Sequence, residues 1–306
     1  MIYRYFDFTF ETNVSEFSMY LNATDIKTEN FYEITYVDSS SLNNGYNLIS
    51  KKIMGDNRIY YYSKSSDEFV IVHNMIGEYN IDYRSKSIKV LPYNNEYIVP
   101  FFLNSVVASM YGYRGTVCLH GCSLLLDNKN VVVVVGDTGA GKSTFSKTIL
   151  NENNVHLLSD DIVPLFLSEN KVYTCYGTNV LKLRDYSDED KILPVRINDK
   201  FIIVSKGIES NIHYRITDVI VLGKRFGNSN EAFELRCVDN DFRKIFLHRF
   251  IKERYLLTIP LEDIKSTIYR INNSEFMMSF LQLKDDFEML NKCIVNIKKQ
   301  IEQQEG

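Results

Sequence analysis

Val131-Val-Val-Val-Val-Gly136-Asp-Thr-Gly-Ala-Gly-Lys-Ser-Thr144 decides how the rest of the chain is read. Five consecutive valines lead into Gly136, and residues 136–143 fill the pattern G-x-x-x-x-G-K-[ST]. A run of β-branched residues without polar alternation predicts a strand buried on both faces. Residues 143–150 predict the helix that follows, with Phe145, Ile149 and Leu150 as its packing residues. The loop between them has the composition of a phosphate cradle, made of Gly136, Asp137, Thr138, Gly139, Ala140, Gly141, Lys142, Ser143 and Thr144. Its backbone N–H groups ring an anion next to a helix N-terminus, which favours negative charge. In such a loop the lysine, Lys142, reaches the β- and γ-phosphates and the hydroxyl of Ser143 holds Mg²⁺. The motif thus asks for a nucleotide's phosphates and Mg²⁺.

The bulk numbers set bounds around that motif. The chain has 306 residues, 45% of them hydrophobic and 24% charged, a globular balance with room for one large or two ordinary domains. A net charge of −4 gives no basic footprint, so nucleic acid is not expected as a partner. No apolar run reaches membrane-spanning length and the N-terminus lacks signal-peptide shape, so no membrane and a cytoplasmic location are expected. Five cysteines, an odd number in a long chain, suit thiols in a reducing compartment.

Upstream, residues 1–97 hold 13 of the 21 tyrosines, so this third of the chain needs its own account. Short β-rich runs at 2–10, 31–37, 58–62, 69–73 and 88–91 alternate with polar, turn-prone clusters. This pattern predicts a small, mostly antiparallel β domain over residues 1–97, with residues 98–306 as the nucleotide-binding domain. The tyrosines read either as a recognition surface or as half-buried strand residues. Residues 100–111 predict a helix. Residues 117–126 predict a strand pair or a bulged strand, and the turn at 127–130 joins it to the valine strand as a hairpin. In an unbroken strand Cys118, His120 and Cys122 would share one face. A structural zinc site would still lack a fourth ligand and a turn between the cysteines.

Downstream, residues 155–165 predict a strand that ends in the carboxylates Asp160 and Asp161. Carboxylates at a strand end shortly after such a loop are placed to hold Mg²⁺ or to activate the attacking group. Residues 165–183 predict a hairpin with its turn at 168–171. Further strands are expected at 200–204 and 216–222, and helices at 239–255 (which includes His248) and 287–301. Lys200 is either a second phosphate contact or a surface charge.

Residues 113–183 resemble the HPr kinase/phosphorylase family and its relatives in peptide biosynthesis, such as lasso-peptide precursor kinases. The resemblance rests on Leu119-His120-Gly121, the loop from Gly136 to Ser143, the pair Asp160-Asp161 and the hairpin after it. His120 lies 16 residues before Gly136 and Asp160 lies 24 after it, as in that family. The resemblance implies a mixed α/β fold related to phosphoenolpyruvate carboxykinase. It implies an ATP-dependent phosphotransferase that moves the γ-phosphoryl group to a serine or similar hydroxyl of a peptide or protein. By the same resemblance Lys142 stabilises the transferred charge, Ser143 and Asp161 bind the metal, Asp160 is the base and His120 orients the pair. The roles of the two aspartates can also be exchanged. The chain departs from the family in lacking the glycine-rich signature after the Asp-Asp strand, so neither phosphorolysis nor HPr as substrate is implied. The partners expected are a peptide or protein acceptor, with self-association into a homo-oligomer left open. A small-molecule kinase and a non-catalytic nucleotide sensor are the alternatives, and residues 1–97 are expected to serve acceptor recognition.

Overall fold

The valine run forms the strand expected of it, Asn130–Gly136, and every valine in it is buried. The structure is a computed structural model and describes residues 1–151, 154–184, 191–197, 200–204, 212–223, 234–237, 249–251 and 261–282. The valine strand is central because both its edges are paired. On one side Gly121–Leu126 runs antiparallel to it, and on the other His213–Leu222 runs parallel. The ladder continues outward from Gly121–Leu126 to Val155–Ser159. From His213–Leu222 it continues through Lys171–Cys175 and Val163–Ser168 to Val117–Leu119. Met277–Gln282 also lies parallel to His213–Leu222 and carries Glu234–Cys237 on its other side. The sheet is therefore mixed, and the fold is mixed α/β.

Lys142–Leu150, the helix after the loop, buries Phe145, Ile149 and Leu150 as expected. It packs between this sheet and a separate three-stranded sheet of Val180–Leu183, Lys200–Val204 and Lys191–Ile197. Leu181, Leu183 and Ile203 from the small sheet meet Val132, Val134, Leu157 and Phe145 in one apolar cluster. The hairpin expected over 165–183 accordingly ends at Cys175, and the last four residues belong to the second sheet. The turn at 169–170 is as expected, because Glu169 and Asn170 both take the left-handed backbone that a tight reversal needs. Asp218, in the middle of His213–Leu222, is a buried carboxyl whose Oδ2 has no hydrogen-bond partner among the described residues.

The described residues group into two compact units, Met1–Arg114 and a second beginning at Gly115. The first is an eight-stranded sheet, antiparallel except where Phe8–Thr12, Asn30–Tyr36 and Ser87–Pro92 run parallel. Two of its strands, Asn47–Met54 and Gly77–Asp82, have no counterpart in the strands read from sequence. The first is exposed and mixes polar with apolar residues without alternation, and the second reads as the turn it follows. Seven of the 13 tyrosines of residues 1–97 are buried, so they serve the core more than a recognition surface.

The helical stretch after residue 94 clusters with this sheet rather than with the second unit. Phe102 stacks edge-on against Phe10 and Phe17, and the Tyr79 hydroxyl donates to the Ile98 carbonyl at 2.6 Å. The helix starts earlier than expected, capped by the Asn94 side chain, which accepts from the Glu96 N–H at 3.0 Å. Pro100 lies inside it and the next turn widens to a π segment, Phe102–Val106, with the Val107 N–H bonded to the Phe102 carbonyl. Of the expected helix 239–255 only 249–251 is described, and 186–190, His248 and the helix 287–301 lie outside the described residues. Among the described residues no helix is long and apolar enough to cross a membrane.

Candidate active site

The loop after the valine strand is shaped by its glycines. At Gly136 a Cβ would stand 2.8 Å from the Leu222 carbonyl oxygen, so only glycine lets the two parallel strands close at this point. Gly141 has a φ of +91° and its carbonyl accepts from the Phe145 N–H at 2.8 Å, starting the helix directly from a left-handed residue. Lys142 folds back over the loop and donates to the carbonyls of Gly136 at 2.7 Å and Asp137 at 3.2 Å. Burial lowers its pKa, and the charges of Asp161 and Asp160 act on it in the opposite sense. The loop thus brings a partly desolvated cation to the same place as the two aspartates.

The strand expected to end in the carboxylates stops at Ser159, and the break before the next strand, which begins at Val163, places the pair. The Ser159 hydroxyl donates to the Ile162 carbonyl at 2.7 Å across it and also meets the Ser123 hydroxyl at 2.7 Å. Asp161 takes a φ of +73°, which costs a non-glycine residue about 1 kcal/mol. Its carbonyl accepts from His120 Nδ1 at 3.2 Å, which ties the ring to the main chain of the pair. His120 itself interrupts the strand expected over 117–126, between Val117–Leu119 and Gly121–Leu126. Its own N–H donates to the Phe250 carbonyl at 2.8 Å. The interruption sends Cys118 and Cys122 to different strand partners, Pro164 and Val134, which removes the shared face on which a zinc reading depended. Cys118, Cys122 and Cys175 are buried thiols.

Lys182 completes the site and was not singled out by the sequence. Its ammonium is ion-paired with Asp161 and its main-chain N–H donates to Asp160 Oδ2 at 3.0 Å. Both charged side chains of the Lys182–Asp161 pair are largely buried, at 17% and 18% exposure. Burial and the neighbouring Asp161 charge push Asp160 up to about 6, against the pull of Lys182. The two aspartates therefore meet different surroundings: Asp160 is buried and reluctant to ionise, and Asp161 is paired with a cation. Lys200 is half-buried and its charge acts on both Lys142 and Asp160, so it lies within electrostatic reach of the site.

Arg249 is a second residue the sequence reading missed. It forms a bidentate pair with Asp137 of the loop, Nε to Oδ1 at 3.1 Å and Nη2 to Oδ2 at 2.5 Å. At 59% exposure the pair is worth little as stability, about 1 kcal/mol at most. Its effect is to hold a guanidinium over the loop. No local pattern marks either residue. Lys182 sits in a short strand of ordinary composition, and Arg249 reaches the loop from 112 residues away.

No family profile matches the chain, and no curated protein matches it. Among solved structures it is similar to the HPr(Ser) kinase/phosphatase from Coxiella burnetii, with 13% identity and a TM-score of 0.32. The match covers 62% of this chain and 99% of that one.

Proposed function

We propose that the chain is a Mg·ATP-dependent kinase that transfers the γ-phosphoryl group to a serine or similar hydroxyl of a peptide or protein, on a core of the phosphoenolpyruvate-carboxykinase type. The observation that carries this reading is the convergence of Lys142, Asp160, Asp161 and Lys182 beside a glycine loop and a helix N-terminus. A site that only held nucleotide would need the loop and the lysine. It would have no use for a buried carboxyl raised to about 6 next to a second, ion-paired one.

Phosphoryl transfer needs positioning and charge neutralisation more than covalent chemistry. Lys142 supplies a fixed cation within the loop. Asp160 accepts the proton of the attacking hydroxyl, since its surroundings favour the protonated form once the proton arrives. His120 holds the main chain of Asp161 and so fixes the direction of that carboxylate. Among the described residues no three metal-ligating side chains converge, but Mg²⁺ bound with a nucleotide needs only one or two protein carboxylates. Asp161 and the Ser143 hydroxyl fit that requirement as hard oxygen donors, with Lys182 sharing the Asp161 carboxylate. Mg²⁺ bound there would neutralise charge on the phosphates.

Incubation with γ-labelled ATP and a panel of peptides, proteins and small hydroxyl compounds tests the reading. Label transferred to a peptide or protein serine, and lost in Lys142→Ala, supports it. Label on a small molecule alone makes the chain a small-molecule kinase, and nucleotide binding without transfer to any acceptor makes it a sensor.

A further inference from the structure

We infer that the edge strand Asn47–Met54 of the N-terminal sheet is a docking site for an extended, acidic peptide segment, which adds to the sheet as a further strand. This strand is eight residues long and lies at the end of the sheet, paired among the described residues only with Asn57–Ser63. The opposite edge, Ile2–Tyr5, is treated differently: Tyr3 bridges to Ala23, and Ile2 accepts from the Thr24 N–H at 2.9 Å. An exposed edge presents a row of backbone donors and acceptors to any strand that fits it.

The side chains along this edge are those of a contact surface. Leu48, Ile49 and Ile53 are 52%, 45% and 60% exposed, three of the nine large apolar residues exposed in the described chain. Concentration of a third of them on one short strand argues against scattered surface apolarity. Ile49 is the bulge residue, passed over between the pairs Leu48–Tyr62 and Ser50–Tyr61. The bulge returns Leu48 to the same face as Lys51 and Ile53, opposite Tyr62, Tyr60 and Arg58. Tyr60 and Tyr62 confirm the shared face, with ring centroids 6.4 Å apart. These six positions combine aliphatic and aromatic surface with two cations and no acid, on a chain whose net charge is −4. A strand presenting alternating acidic and apolar side chains complements them. A second copy of the chain does not, because its own edge strand brings the same two lysines and no acidic residue.

That the docked segment belongs to the acceptor rests on the kinase reading above; the docking itself does not. The test is fluorescence anisotropy of a labelled short peptide alternating valine and glutamate, with the full chain and no nucleotide. The expected result is binding that is lost with the valine–lysine counterpart and with a backbone N-methylated version. Lys51→Glu combined with Arg58→Glu should weaken it roughly tenfold or more and transfer preference to the lysine peptide. That gain of binding shows the variant is folded. Ile53→Asp should also weaken binding. Indifference to N-methylation, or unchanged preference in the charge-reversed chain, overturns the proposal. Dimerisation abolished by Ile53→Asp also overturns it, by giving the edge to a second copy. Failure of the kinase reading would leave the anisotropy result standing, and failure here would leave ATP turnover standing.

Discussion

Asp218→Asn should make the protein more stable at neutral pH, and the gain should vanish in acid. Asp218 is buried in the strand beside the valine run, with one carboxyl oxygen unpartnered among the described residues. Burial raises it from 3.8 to about 6, against a lowering hydrogen bond from Thr217. The folded state therefore binds a proton more tightly than the unfolded state does. Stability from this group is fully present below 3.8 and is lost as pH rises through about 6. At 1.36 kcal/mol per pH unit the loss above pH 6 comes to about 3 kcal/mol. Asparagine removes the charge but leaves an amide to be satisfied, at roughly 1–2 kcal/mol. The net gain expected at neutral pH is then about 1–2 kcal/mol. Urea denaturation of both proteins across pH 4 to 8 measures it. The wild-type minus variant difference cancels the other groups, Asp160 among them. A difference that stays flat with pH would refute the argument, because it would mean that Asp218 is not held protonated by its surroundings.

Lys142→Ala should abolish transfer and weaken ATP binding measured by calorimetry, since the loop loses its fixed cation; unchanged activity would remove the loop from the mechanism. Asp160→Asn should keep Mg·ATP binding while lowering turnover about 10²-fold or more, in the range of a general base. Asp161→Asn should instead raise the Mg²⁺ concentration needed for activity, and an exchange of these two outcomes would exchange the two roles. Lys182→Met should destabilise the chain by about 2 kcal/mol in urea, below the usual cost of breaking a fully buried pair because both partners keep some solvent. Lys182→Arg should recover most of that loss, whereas equal loss in both variants would show that packing rather than charge is responsible.

The parts legible in the sequence are those encoded locally. The five valines, the turn at 127–130, the glycine loop and the apolar residues of the helix after it specify a hairpin running through a glycine loop into a helix, and the structure has these elements. The aspartate pair was legible because its position follows the loop at a short distance along the chain. What was not legible depends on register between distant segments. Lys182 meets Asp160 and Asp161 because residues 180–183 leave the hairpin and join a second sheet with 200–204, a choice that no residue in 165–183 announces. Asn47–Met54 was missed for the opposite reason: its exposed residues give no alternation, since the buried side of an edge strand is only half-buried. The left-handed backbone of Asp161 left no signal either, because it is set by contacts with His120 and Lys182.

The parallel pairing of the valine strand has a consequence during synthesis. Its antiparallel partner, 121–126, is already made when the valines emerge, so one edge is covered at once. The other edge waits for His213–Leu222; Ile216, the partner of Val131, follows 85 residues later. At ribosomal speeds that interval is roughly 5–15 s. Throughout it a segment of five valines with no proline and no charge stands with one bare edge, the composition most prone to stacking with copies of itself. Nascent chains should therefore need a chaperone until residue 222 has emerged, and fragments ending before residue 213 should aggregate when the full chain does not.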